Sequence, residues 1–596
     1  MPATTDPVRS LAARALEDGL AASGLQRGDA VAVAVSPAGA GLWTAAGGWA
    51  VPGLGADTVA ALARIEQRWR PRWVWWSARD AADPLVRGGL RVAVCWDVAA
   101  VHRLLSGGTD DDPARVWAVL AGLDPAGAPR TGQLDLLGAT GDDDGGRAAE
   151  EPVLASGHLR AEWASGGWRR TPERLGRWAG LAWTARRRQL ARLADVDCSG
   201  DPVATSHSES GAALLCVELE TDGLPLDRAR AEELVAAACG ERPRDQVHET
   251  TLRQRRDDAV LRHVPSAALP VDLRNPAQVR AALAHIGIDV PDTRSGRLEP
   301  WRSAHPLVEA LLTWRKADRI ATTYGYRWLD EHVGADDRLR GAWSASDGAA
   351  GRMTAQAGLH NLPAELRPAV AAEPGHVLVR ADLGQVEPRV LAAVSADEAL
   401  AAATADDDLY LPVARRLGVE RPVAKVAVLA AMYGQTSGAA GQALDGMERA
   451  YPVALRYLRS AYEQGRAGRA VRTHGGRLVR MYPLPDTLDE RDHRAAVNGR
   501  GRFARNAVVQ GSAAELFKAW AATVRAACRP LDAGIVLCLH DELLVHAPAQ
   551  AGDRVADLLR STLADVAARW AGSVRGPRVR FVADVTVVQR WSQAKG

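Results

Sequence analysis

The sequence predicts an α+β, multidomain chain: a layer of alternating strands and helices comes first, and a larger, mostly helical region with a few strand returns follows. Three observations carry this. The 596 residues exceed what one hydrophobic core organises, and at roughly 150 residues per domain they make about three to four units. In the first part, short apolar runs at residues 30–35, 72–76 and 91–95 read as strands followed by helix-compatible sequence such as residues 98–105, the pattern of an α/β layer. From Leu214 onward the period changes to long amphipathic helices, for example at 228–238 and 305–326, and strand signals return at 376–381 and 534–539.

Three stretches read as breaks between these regions: 107–113, the acidic and glycine-rich 138–151, and 195–211 with its Ser, Asp and Gly. Such composition buries too little apolar area to order itself, so 138–151 is expected to be a disordered surface insertion and 195–211 a separator. No internal repeat is visible.

Composition narrows the function classes. A formal charge of +2, with 47% hydrophobic and 24% charged residues, is ordinary for a globular protein and excludes a wholly basic nucleic-acid tail, while leaving room for a local basic cleft. Lysine occurs only at Lys316, Lys425, Lys518 and Lys595, so each is informative. The six cysteines form no CxxC pair and no zinc-type spacing, which predicts reduced, mostly buried thiols. The first ten residues have no signal-peptide pattern, and no apolar run is long enough to span a bilayer, so a soluble cytoplasmic protein with no membrane partner is expected.

The chemistry concentrates in a few segments. Residues 376–382 read as an apolar strand ending on Asp382, where the chain turns into Gly384-Gln385-Val386-Glu387-Pro388-Arg389. An Asp there could simply cap the helix that follows. A partner acid, however, stands in residues 535–545, where His540-Asp541-Glu542 interrupts an apolar run as the tip of a hairpin would. Carboxylates from two strands are what a pair of magnesium ions requires for phosphoryl transfer.

Between these acids, residues 421–434 have a proline near the start and a glycine at the end, the marks of one helix. Arg421, Lys425, Leu429 and Tyr433 recur every four residues and form one slanting stripe. Such a stripe can hold a triphosphate through its two cations and offer an aromatic platform to a base or sugar. A second four-residue series, Arg502, Asn506 and Gln510, can hydrogen-bond template and primer. Arg352 and Asn361 add a guanidinium and an amide upstream of Asp382.

Taken in this order, the segments resemble the DNA polymerase I family (family A), with motif A at 382–389, motif B at 421–434 and motif C at 540–542. The resemblance spans nearly all of the chain from Leu214 onward. It implies a right-hand polymerase fold: a polymerase domain over 206–596, with the thumb at about 212–340, the palm at about 341–405 and 512–596, and the fingers at about 406–511. It also implies Asp382 and Asp541 as ligands of two Mg2+ ions, with Glu542 supporting them, and Lys425 as a catalytic cation. Arg421, Lys425, Tyr433, Gln385 and Leu429 are expected at the incoming deoxynucleoside triphosphate, and Glu387 at the position that excludes ribose. Arg352, Asn361, Arg502, Asn506, Gln510 and His540 match primer-template contacts. A monomer acting at the nucleoid of a bacterial cytoplasm is the expected setting.

The sequence departs from the family pattern at Leu383, Gly384 and Pro388 in motif A, at Leu429 in motif B, and at Tyr410, which stands where a nucleotide-contacting His is usual. These departures bear on speed, fidelity and sugar discrimination. Residues 1–205 occupy the place of a ribonuclease-H-like 3'-5' exonuclease domain, and no 5' nuclease domain is expected ahead of it. Residues 31–51 hold no acid where that exonuclease needs an Asp-x-Glu pair. Asp80 or Asp97 could be a remnant, and Trp178 with Ala182 stands at the third metal-binding position. A degenerate exonuclease domain is the resulting expectation. Two rival functions share the motifs: a single-subunit RNA polymerase, disfavoured by Glu387 and Glu542, and a polymerase-like DNA-binding or repair scaffold with little catalysis.

Overall fold

A computed structural model describes residues 8–128, 150–434, 439–572 and 578–594. The chain divides into two compact units. One comprises Met1–Asp222, Ala342–Thr354 and Val379–Val587; the other comprises Gly223–Gly341, Ala355–Leu378 and Val588–Gly596.

The first unit opens with a six-stranded mixed sheet. Its order across the sheet is Val8–Ser10, Gly47–Pro52, Gly39–Thr44, Ala30–Ser36, Arg72–Trp75 and Val94–Asp97. The three strands from Ala30 to Pro52 form an antiparallel meander, and the last two run parallel to Ala30–Ser36. The strand expected at 91–95 forms slightly later, at Val94–Asp97. The helix Pro172–Ala194 covers one face of the sheet, started by Thr171, whose side chain accepts from the Arg174 N–H at 3.2 Å. Its approach depends on small residues: a Cβ on Gly41 would sit 2.1 Å from the Gly176 nitrogen, and one on Gly180 would meet the Trp43 ring at 2.8 Å. The residues trapped between them include Trp43, Trp76, Trp96 and Trp178, all nearly inaccessible.

The separator expected at 195–211 is overturned over most of its length. From Pro202 the chain is already helical, and Pro202–Asp222 is a single helix. Its polar residues are buried because they have partners. Ser210 accepts from the Asp97 N–H at 2.9 Å, Glu209 pairs with Lys518 at 2.8 Å and with Arg477 at 2.6 Å, and Glu218 pairs with Arg525 at 2.6 Å. The insertion expected at 138–151 lies outside the described residues, apart from Glu150 and Glu151, which pair with Arg174 and Arg177.

The rest of the first unit is built around a four-stranded sheet ordered Gly534–Cys538, Glu542–Pro548, His376–Leu383, Ala583–Val588. A 39-residue helix, Glu490–Cys528, packs with Gly552–Ala571 and Pro452–Arg466. It carries Arg502, Asn506 and Gln510 in one continuous run.

The second unit is mainly helical: Arg228–Cys239, Gln246–Leu261, Pro276–His285, Pro306–Thr323 and Tyr326–His332. Its core packs Val260, Val279, Leu283, Leu307, Val308 and Leu311. Arg274 ties Asp257 (2.8 Å) to Asp318 (2.7 Å) across the bundle. No helix among the described residues is long and apolar enough to cross a membrane.

Candidate active site

Asp382 stands near the end of the strand His376–Leu383, and Asp541 in the turn between Gly534–Cys538 and Glu542–Pro548. The turn is closed by the Leu539 N–H, which donates to the Glu542 carbonyl at 2.8 Å. Strand pairing then brings the acids to one end of the sheet, since the Leu383 N–H donates to the Asp541 carbonyl at 2.8 Å. Asp382 does not cap the next helix. Gln385 occupies that position in the left-handed region, with φ of 51°, and makes no side-chain cap bond.

Burial pushes the Asp382 carboxyl up to about 6; Arg380 opposes the rise, while Asp541, Glu542 and Asp584 add to it. Asp541 is likewise raised by burial and by Glu542, with Arg352 opposing. Closely placed, partly desolvated carboxylates gain most from a cation of higher charge, and an all-oxygen donor set suits a hard divalent ion. The donor chemistry therefore fits the magnesium that the sequence implies.

Glu542 is buried and engaged by Arg380, whose Nη2 donates to Glu542 at 3.0 Å and to Asp382 at 2.6 Å. Sequence reasoning missed Arg380. The signal was present, because residues two apart on a strand share a face and Arg380 precedes Asp382 by two.

The helix Arg421–Tyr433 forms with the expected bounds, closed by Gly434 at φ 71°. Ala424, Ala427, Val428 and Ala431 face inward; Arg421 and Lys425 are exposed, and Leu429 and Tyr433 half-exposed, so the four-residue stripe lies on the accessible side of the helix, together with the exposed Val423 and Val426. Lys425 has no ion-pair partner among the described residues. Arg421 pairs with Asp408 and lies 5.7 Å over the Tyr410 ring. Asp408 also accepts from the Gln385 amide at 3.1 Å, and the Leu409 N–H donates back to Gln385 at 2.9 Å. Asp408 is the second residue that sequence reasoning missed, hidden in an acidic run that reads as a solvated loop.

A second cluster assembles around Glu387. Tyr433 donates its hydroxyl to one carboxylate oxygen at 2.7 Å, and Arg352 meets the other at 2.5 Å. The Gln510 amide oxygen, in the orientation the hydrogen bonding requires, accepts from Arg352 at 2.8 and 3.2 Å. Asn506 lies half-buried one turn earlier on the same helix. Arg502 is exposed and lines a cavity of about 380 Å³ with Gly434, Arg505 and Asn498. His540 is exposed at the hairpin tip beside Asp541. Asn361 belongs to the second unit, where its carbonyl accepts from the Tyr324 hydroxyl and from Arg319, both at 2.8 Å.

In the N-terminal sheet, the two acids considered as remnants are already engaged. Asp97 is fully buried and caps the helix Val98–Ser106, accepting from the Ala100 N–H at 2.8 Å and the Ala78 N–H at 2.6 Å; burial pushes it up to about 6. Asp80 pairs with Arg169 at 2.6 Å. Trp178 stacks on Trp76 and Trp168, and Ala182 is fully buried.

The site thus has acids paired at the end of a sheet, a cationic helix stripe and a glutamate cluster, and the chain belongs to DNA polymerase family A, whose model matches residues 273–593. Among characterised relatives, it is 31% identical over 356 residues to DNA polymerase I of Chloroflexus aurantiacus, covering 52% of this chain and 37% of that one. It is 28% identical over 302 residues to the thermostable DNA polymerase I of Thermus aquaticus, covering 46% and 36%. The match thus spans little more than a third of these relatives' length. In fold it is similar to the polymerase domain of Pol1 from M. smegmatis, solved in complex with DNA primer-template and dNTP, with a TM-score of 0.66 at 20% identity, over 98% of this chain and 100% of that one.

Proposed function

We propose that this chain is a template-directed DNA polymerase that adds deoxynucleotides to a primer 3'-hydroxyl, in DNA replication or repair. The observation that carries the reading is the hydrogen-bonded juxtaposition of the Asp382 strand end and the Asp541 turn, in a chain that also presents Arg421, Lys425, Leu429 and Tyr433 on one accessible helix face. Two divalent ions, magnesium by the hardness of the donors, would be held by Asp382 and Asp541 and would supply activation of the 3'-hydroxyl and neutralisation of the leaving pyrophosphate.

The chain's own residues do the rest. Arg421 and Lys425 bind the triphosphate oxygens and offset the charge that develops on them. Tyr433 and Leu429 form the floor on which base and sugar rest. Gln385, through Asp408 and Leu409, orients the loop from which Arg421 is held. Glu387, fixed by Arg352 and Tyr433, crowds the 2' position and selects deoxyribose. Arg352, Arg502, Asn506, Gln510 and His540 bind primer and template, and Asn361 is read as a primer-template contact as well. In this reading the thumb, palm and fingers follow the bounds given above, and the molecule works as a monomer.

Residues 1–205 act as a ribonuclease-H-like exonuclease domain that has lost its chemistry. Support comes from the strand order of its sheet and from Asp97, Asp80 and Trp178, each committed to a capping, ion-pair or packing role.

A labelled primer-template with magnesium, run with and without deoxynucleotides, tests both parts on one gel. Extension with nucleotides and an intact primer without them is the expected result. Asp541→Ala should abolish extension while primer-template binding stays within a few-fold; a wild type that binds but never extends would mean a scaffold. Ribonucleotide incorporation as efficient as deoxynucleotide incorporation would contradict the DNA-specific reading.

A further inference from the structure

Arg380 and Asp382 project from the same face of the strand His376–Leu383. The Arg380 side chain is only 5% exposed, and a single nitrogen, Nη2, reaches both Asp382 Oδ2 at 2.6 Å and Glu542 Oε2 at 3.0 Å. A permanently charged group is thus fixed between one proposed metal ligand and the acid that directly follows the other.

We propose that Arg380 is an internal counter-cation that competes with divalent ions for Asp382 and holds Glu542 out of the ligand set, so that this chain needs more free divalent ion than its carboxylates alone would require. The inference rests on the reading of Asp382 and Asp541 as metal ligands.

Three features support it. A carboxylate oxygen in a charge-assisted hydrogen bond must give up that bond, or share the lone pairs, before an ion can use it. The ionised acids Asp382, Asp541 and Glu542 sum to three negative charges, and Arg380 cancels one of them within hydrogen-bond reach of a ligand atom, which both weakens attraction and adds direct repulsion. Finally, the guanidinium is too buried to swing into solvent. Its route away from Asp382 is toward Glu542, which it already touches, with Asp584 on the adjacent strand Ala583–Val588 adding to the field that holds it. The structure shows Arg380 bridging both acids; the proposal adds a second arrangement, with Arg380 on Glu542 alone and Asp382 released to an ion.

The test is Mn2+ binding to the whole chain without DNA or nucleotide, read from the electron paramagnetic resonance signal of free Mn2+. Arg380→Gln should lower the Mn2+ dissociation constant at least tenfold, while Arg380→Lys, which keeps the charge, stays within about threefold of wild type. Glu542→Gln keeps a neutral acceptor but weakens the guanidinium's alternative partner, so Mn2+ should bind several-fold more weakly. This variant retains the buried cation with Asp382 as its counterion and provides a reading even if Arg380→Gln folds poorly. Unchanged or weaker binding in folded Arg380→Gln, or unchanged or tighter binding in Glu542→Gln, overturns the proposal. Asp382→Asn separates it from the reading beneath it. If that variant keeps wild-type Mn2+ binding, Asp382 is not a metal ligand; if it loses the ion while Arg380→Gln binds no more tightly, only the counter-cation role fails.

Discussion

Replacing Glu209 with glutamine should be the most damaging single change in the helix Pro202–Asp222. Glu209 is 1% exposed and is the shared counterion of two buried cations, Lys518 at 2.8 Å and Arg477 at 2.6 Å. At an effective dielectric near 20, each contact is worth about 6 kcal/mol of Coulomb energy, offset by desolvation of similar size. What is measured is therefore the charge left uncompensated. Glu209→Gln leaves Lys518 and Arg477 without their shared counterion, a loss of about 3–5 kcal/mol. Lys518→Met leaves the Glu209–Arg477 pair intact and should lose about 1–2 kcal/mol. Urea unfolding followed by fluorescence of the buried tryptophans gives both losses. A Glu209→Gln cost below about 1 kcal/mol, or one smaller than that of Lys518→Met, would refute the shared-counterion argument.

Other consequences follow from single contacts. Tyr433→Phe removes the 2.7 Å bond that fixes Glu387, about 1 kcal/mol of restraint; the kcat/KM ratio of deoxy- over ribonucleotide should fall about five- to tenfold in single-nucleotide incorporation. Asp408→Asn releases Arg421 from a half-exposed ion pair, so the nucleotide KM should drop about two- to fivefold with kcat nearly unchanged; an unaltered KM would show that Asp408 does not restrain Arg421. Burial pushes His102 down to about 4, so the native state keeps it neutral while the unfolded chain protonates below about 6.5. Stability is then fully present above 6.5 and is lost as pH falls toward 4, by about 3 kcal/mol. His102→Gln should remove that share of the acid slope, with His207, also held near 4, retaining a comparable one.

How much the sequence revealed depends on whether a signal was local. Asp382 and Asp541 were legible because each carboxylate breaks an apolar strand, and the helix Arg421–Tyr433 because its proline and its terminal glycine mark both ends. The first half of the helix Pro202–Asp222 was not legible. Its Ser206, Glu209 and Ser210 imitate a solvated linker, yet all three are buried, as is Glu218 in the part that was legible as helix. The charges that make this possible, Lys518 and Arg525, lie 309 and 307 residues further along the chain. No window of sequence contains both halves of such a pair. The N-terminal sheet was partly legible for a related reason: the strands at 30–35 and 72–76 are apolar runs, whereas the start of the third is set by its pairing of Arg72 with Val94.

The contacts around the motif A helix explain how residues far apart in sequence are held in one site. Arg389 is fully buried and makes no ion pair among the described residues; instead its guanidinium donates to the carbonyls of Gly384, Thr404, Asp406, Asp407 and Arg580. A cation that uses its donors on main-chain oxygens fixes a loop more rigidly than one ion pair would, because moving the loop leaves buried donors unmet. That loop carries Asp408, which reaches Arg421 on one side and Gln385 on the other. The motif A and motif B helices are thus coupled through the irregular chain at 404–409. Arg421 rests against Asp408, as Asp382 rests against Arg380. Each of these charges has an internal partner of opposite sign and single charge, so under the proposed function a ligand of higher charge, a triphosphate in the first case and a divalent ion in the second, would have to displace that partner.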